Sequence, residues 1–217
     1  MSINRINNNK ILYNFIKSSG SLEEYQIIGT PIDLKPIGDN VEKFEPEFLK
    51  KVIKHLKLSF DNPKILYNGY YDNNINYNNF NSYRLFLMST IYDHLDYEKS
   101  DFNDIFSRLE KHLKLNLYND GSTFDFIERN SILYHEYNMI ALVKVAEILE
   151  KRLELNIMDL ISHGLAFMKP YVNGTIKHVM FLESKLNSDV HHHFYGVEYN
   201  KDLSNKYFLK KIENFFN

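Results

Sequence analysis

Phe48, Val52, Ile53, Leu56 and Leu58 recur at near-helical spacing through PEFLKKVIKHLKL, and Pro46 suits the first turn of the helix this spacing predicts. Four further helical patterns follow. Asn78 to Leu95 turns Phe80, Leu85, Leu87, Met88 and Ile91 inward, and Asp101 to Leu115 opens on an aspartate cap and carries Phe102, Ile105, Phe106, Leu109 and Leu113. Asn130 to Leu153 is the third, and its segment Met139 to Val143 is apolar around the whole circumference, the mark of a helix enclosed by others. Asn156 to Met168 is the fourth, expected to stop before Pro170, and Lys201 to Phe216 reads as a last amphipathic helix. Ahead of Glu45 the text is turn-rich, with Gly20, Gly29, Pro31, Pro36 and Gly38 and one short helical pattern from Lys10 to Lys17. Residues 1–45 are therefore expected to form an irregular arm packed on a helical domain, 46–217. Strand signals are weak, with one short candidate at Lys64 to Tyr67, so the fold class is all-α, with about six to eight helices. Enclosed helices alternating with one-faced helices predict stacked helical hairpins in an inner and an outer layer.

A chain of 217 residues with 44% hydrophobic content is large enough to bury a packed core. Its formal charge of −2, from 26 basic and 28 acidic residues, supplies no field for nucleic acid or an anionic membrane surface. Without cysteine there are no disulfides, no thiolate metal sites and no cysteine nucleophile. The N-terminal stretch MSINRINNNKILYNFIKSSG lacks the apolar run of a signal peptide, and no stretch approaches the roughly 18 apolar residues of a membrane span. The expectation is a soluble protein, cytoplasmic by default.

The most informative stretch is DGSTFDFIERNSILYHEYNMIALVKVAEI, residues 120–148. Asp120-Gly121-Ser122 is a turn signal. Arg129 then precedes the helix; Tyr134 and Asn138 share a face at i, i+4, while His135 is turned about 100° away. Such a turn at the head of a helix suits the rim of a cavity. From spacing alone it better suits Tyr134 and Tyr137 as amphipathic core residues, with Arg129 paired to Glu128 or Glu136, because aromatic stripes at helical spacing are usually core. Elsewhere, His191-His192-His193 places three imidazoles in three directions, with no His-Glu-x-x-His helix, so a solvated or cleft-edge loop is expected there rather than a metal site. His163 and His178 read as structural. No phosphate-cradling loop, nucleophile elbow or dinucleotide fingerprint is present, while Asp120, Asp125, Glu128 and Glu136 leave paired-carboxylate glycoside hydrolysis open.

The run D-G-S-x-x-D-F-x-x-R-x-x-x-x-Y-H-x-Y-x-x-x-x-L, from Asp120 to Leu142, resembles the second conserved block of the alginate lyase superfamily, the helical-toroid polysaccharide lyases and their relatives. NNFNSYR, Asn78 to Arg84, is similar to that family's Asn-Asn-aromatic-x-Ser-His-Arg helix; LISHGLAFMKPY, Leu160 to Tyr171, is similar to its helix ending in Pro-Tyr, and the likeness extends toward FLESKLNSD, 181–189. Together they cover roughly residues 75–195. The resemblance implies a partial α/α toroid, several helices short of a complete family member, with a more open cleft. It also implies β-elimination on a uronate-containing, alginate-like polysaccharide. That chemistry removes the proton at C5, beside a charged carboxylate, and expels the O4 oxygen of the neighbouring sugar. Asn79 and Arg129 would neutralise the carboxylate and stabilise the enolate-like intermediate. Tyr134 would act as acid, base or both, and a nearby cation would have to favour its phenolate. Asn78, Arg84, Asn138 and His192 would contact substrate, and neither metal nor other cofactor is required. Tyr83 stands where the family has histidine, so Tyr83 or His135 would have to take that role. The expected partner is an acidic polysaccharide or oligosaccharide. Two other readings stay open: a non-catalytic glycan-binding relative, and a helical scaffold for a protein partner.

Overall fold

The computed structural model describes residues 35, 37–61, 78–129, 132–172, 179–185 and 192–198; in the two strands and at 55, 58, 59, 61, 128, 129 and 172 it describes the backbone alone. The expected helices Lys10 to Lys17 and Lys201 to Phe216, and the expected strand Lys64 to Tyr67, lie outside these residues. Among the described residues are helices α1 (Pro46–Asp61), α2 (Asn79–His94), α3 (Lys99–Asn116), α4 (Phe124–Arg129), α5 (Ile132–Leu153) and α6 (Ser162–Val172). Strands β1 (Val179–Lys185) and β2 (His192–Glu198) follow.

The periodicity explains which faces are covered. α1 buries Phe48, Leu49, Val52, Ile53, Leu56 and Phe60 and shows Lys50, Lys51 and Lys54 to solvent; α3 buries Phe102, Ile105, Leu109 and Leu113 and exposes Asn103, Ser107, Glu110 and Lys114. α2 and α5 are enclosed. Along α2 only Phe80, Thr90 and Asp93 are half-buried and only His94 is exposed, and along α5 only Lys151 is exposed. These two make the most extensive helix–helix contact; α3 packs on both, α1 on α2, and α4 and α6 on α5. Each buried leucine in this seam, such as Leu85, Leu87, Leu142 and Leu149, contributes about 2 kcal/mol of transfer free energy. The described end of the N-terminal arm joins the same core through Ile37 and Val41, and Lys144 on α5 reaches Asp39 at 2.6 Å. The packed body is thus all-helical.

Several boundaries differ from the pattern-based expectation, each for a local reason. α3 starts at Lys99 behind Glu98, whose side chain makes no capping bond; Asp101 lies inside the first turn, where its carboxylate faces the positive end of the helix. The segment before α5 is a separate short helix, α4, so Arg129 ends one helix instead of leading into the next. α6 follows a 3-10 turn, Met158–Ile161, and runs through Pro170 to Val172. Pro170 has no donor for the Ala166 carbonyl, and the helix runs only two residues beyond it.

The larger correction is a strand pair. β1 and β2 form an antiparallel two-stranded ribbon, with Phe181 opposite Gly196 and Lys185 opposite His192. His192 and His193 therefore sit in a strand, not in the loop expected of a histidine run. HHFYGVE holds only one β-branched residue and no clean alternation of polar with apolar, which hid the strand from a periodicity reading.

Candidate functional site

The turn before α4 is built as its composition dictates. Leu117 and Thr123 pair across it, the Gly121 amide donates to the Tyr118 carbonyl at 2.9 Å, and the Asp120 carboxylate accepts from the Ser122 amide at 2.9 Å and the Ser122 hydroxyl at 2.7 Å. Those bonds from Ser122 hold the Asp120 carboxyl below its usual range. Gly121 has φ 86°, and a Cβ there would stand 2.2 Å from the His163 carbonyl oxygen, so glycine is needed both for the dihedral and for the approach of α6.

The stretch Asn78 to Arg84 occupies the buried start of α2. Asn78 caps the helix, its side chain accepting from the Phe80 amide at 3.0 Å. Asn79, Asn81, Ser82, Tyr83 and Arg84 are all buried, and Arg84 donates to the Asn81 side-chain oxygen. The Tyr83 ring lies against Tyr137 of α5, centroids 4.6 Å apart, and edge-on to Phe86. Burial is the main reason its phenol is pushed far above the normal range, so the phenolate is inaccessible at neutral pH.

From the second block, the structure turns His135 and Asn138 inward. His135 is fully buried, with Nδ1 3.1 Å from the Thr123 hydroxyl and Nε2 3.0 Å from the Gly164 carbonyl oxygen. Because a carbonyl only accepts, Nε2 carries the proton and Nδ1 receives the Thr123 hydroxyl. Desolvation dominates and pulls the imidazole pKa down to about 4. Asn138 sits at the meeting point of four helices. Its carbonyl accepts from the Ser82 hydroxyl of α2, and its amide donates to Asn116 of α3 at 2.7 Å and to Asp125 of α4 at 3.1 Å. Ser82 in turn lies 2.7 Å from Nε2 of His112.

The serine–histidine distance would suit a nucleophile and its base, but the roles do not. Ser82 already donates to Asn138, so His112 donates to Ser82 instead of receiving its proton, and with Ser82 at 0% and His112 at 2% exposure no substrate reaches them. The network ties helices together. Asn138 was expected to face substrate and is instead its centre. Ser82, His112 and Asn116 were not singled out in the sequence; the available signal was polar residues at buried helical registers, His112 and Asn116 continuing the Ile105, Leu109 face.

Of the remaining candidates, Tyr134 is half-buried on α5. Arg129 and His192 are placed by backbone alone, at the end of α4 and the start of β2. Asn79, Tyr83, Arg84, His135 and Asn138 do not line an open groove: each is buried, the first three on the enclosed start of α2, Asn138 where α2 to α5 meet, and His135 under the 117–123 turn, α4 and α6. Among the described residues no group of three or more histidines and carboxylates is arranged to hold a metal ion, and no helix is long and apolar enough to cross a membrane. No family model, curated protein or solved structure matches the chain.

Proposed function

We propose that this chain is a lyase-like helical protein that binds an acidic, uronate-containing glycan without cleaving it. The observation supporting the non-catalytic half is the burial of both groups that would replace the family histidine. Tyr83 is 1% exposed with its phenol held protonated, and His135 is 0% exposed with both ring nitrogens engaged. A base must reach the proton it removes, and neither does. The glycan half rests on the two sequence blocks and their order along the chain. In this reading α1–α6 form part of a toroid-like α/α layer, and the residues that the family uses on substrate hold helices together here.

Catalysis by Tyr134 is the second reading, favoured by its half-exposed position on α5. The two readings separate in one experiment. Uronate polymers of mannuronate, guluronate and glucuronate are incubated with the protein while ultraviolet absorbance follows formation of the unsaturated product, and calorimetry follows binding. Binding without absorbance is the expected result, with Tyr134→Phe changing affinity by less than about twofold. Absorbance that grows in the wild type and vanishes in Tyr134→Phe establishes the lyase instead. Absence of binding to all three polymers removes the glycan reading and leaves the helical scaffold.

A further inference from the structure

His135 ties the 117–123 turn and α6 to α5. Its Nε2–H donates to the Gly164 carbonyl of α6, and its Nδ1 accepts from Thr123, which closes the 117–123 turn by pairing with Leu117 and begins α4. Phe167 of α6 lies 4.9 Å from the imidazole and Phe126 of α4 lies 6.4 Å away, edge-on. The same turn meets α6 a second time, where Gly121 passes under the His163 carbonyl, and Gly164 lets α6 approach Met139 of α5. We propose that His135 is an acid-sensitive latch, holding the 117–123 turn, α4 and α6 on α5 while neutral and releasing them when it takes a second proton.

The bonding pattern leaves that proton poorly accommodated. A protonated Nδ1 must donate to Thr123 Oγ1, which turns the threonine's own proton away from its acceptor. That oxygen also lies 3.4 Å from the Phe126 amide, so donors would take both of its lone pairs and the threonine proton would have to find a new acceptor. The buried cation would face the rings of Phe126 and Phe167, which repay only part of its lost hydration. The titratable and charged groups with described side chains that neighbour His135 along these elements are Tyr118 and Asp120 in the turn, Asp125 on α4, His163, Lys169 and Tyr171 on α6, and Tyr134, Glu136 and Tyr137 on α5 itself. Of these, Asp120 is the one whose charge favours protonation of His135, and it does so from the solvent-exposed tip of the turn. Asp125 is directed to Asn138.

The direction of the pH effect follows. The opened state binds a proton at the ordinary imidazole pKa of about 6.5 and the closed state only at about 4, so closure is fully favoured above 6.5 and weakens as pH falls between those values. Between pH 7 and pH 5 the equilibrium shifts toward the open form by roughly 20-fold.

Hydrogen exchange read by mass spectrometry at pH 7 and pH 5, corrected for intrinsic exchange rates, tests this on the full chain. Peptides covering 117–129 and 162–172 are expected to lose roughly 20-fold in protection, while α1, α2 and α3 change by less than about threefold. His135→Phe, which keeps an aromatic volume but cannot titrate, is expected to protect those peptides less at both pH values and to alter by less than about twofold between them. Should that variant not fold, NMR titration of the His135 ring in the wild type decides the matter. Titration near pH 4, accompanied by the regional loss of protection, upholds the latch. Titration near 6.5, or a uniform loss across α1–α6, overturns it.

Discussion

Asn138 shows how a single amide can serve four helices. It receives the Ser82 proton and gives its own two to Asn116 and Asp125, all in a region closed to water. Replacing it with leucine keeps the volume but takes away the partner those groups share, and each buried polar atom so treated costs about 1–3 kcal/mol. Asn138→Leu is expected to lower the unfolding free energy by about 3 kcal/mol or more, seen as a lower urea midpoint with an unchanged slope. An unaltered midpoint would mean that the network contributes nothing net. This role was only half legible in the sequence. The i, i+4 relation of Tyr134 and Asn138 was visible, but whether that face looks at solvent or at a neighbouring helix depends on residues 13 to 56 positions away. The Asp-Gly-Ser turn, by contrast, is local chemistry and was readable directly.

At the level of helices, ends matter more than centres. The Asn78 side chain satisfies the Phe80 amide at the start of α2, where the first turn lacks internal partners. Asn78→Ala is expected to cost about 1 kcal/mol, and Asn78→Gly only a few tenths, measured by thermal unfolding; equal losses for both would mean that the side chain packs and does not cap. At the far end, Arg152 of α5 reaches the Asp93 carboxylate at 2.6 Å, the Asp93 carbonyl at 2.9 Å and Asp96 at 2.8 Å, fastening the last turn of α5 to that of α2. Sequence periodicity located α1, α2, α3, α5 and α6 because an apolar stripe is a summed signal over many residues. It misplaced their limits by a few positions, since an Asp at 101 and a Pro at 170 favour a helix boundary without enforcing one. The β1–β2 ribbon was missed because its pairing is between segments whose individual patterns are ambiguous.

The described helices are organised around α2 and α5, which complete each other's burial across the 37 positions between His94 and Ile132. A fragment ending at residue 129 keeps α1 to α4 but loses the partner that covers α2. It is expected to show low helicity by circular dichroism and no cooperative thermal transition, because isolated helices of this length are marginal in water. A sharp transition in that fragment would show that the first helices fold without α5. On the ribosome the same arrangement imposes a delay. The apolar sides of α1, α2 and α3 emerge well before Leu153 does, so the nascent chain must wait, open to chaperones and to neighbouring chains, until its keystone helix has been synthesised.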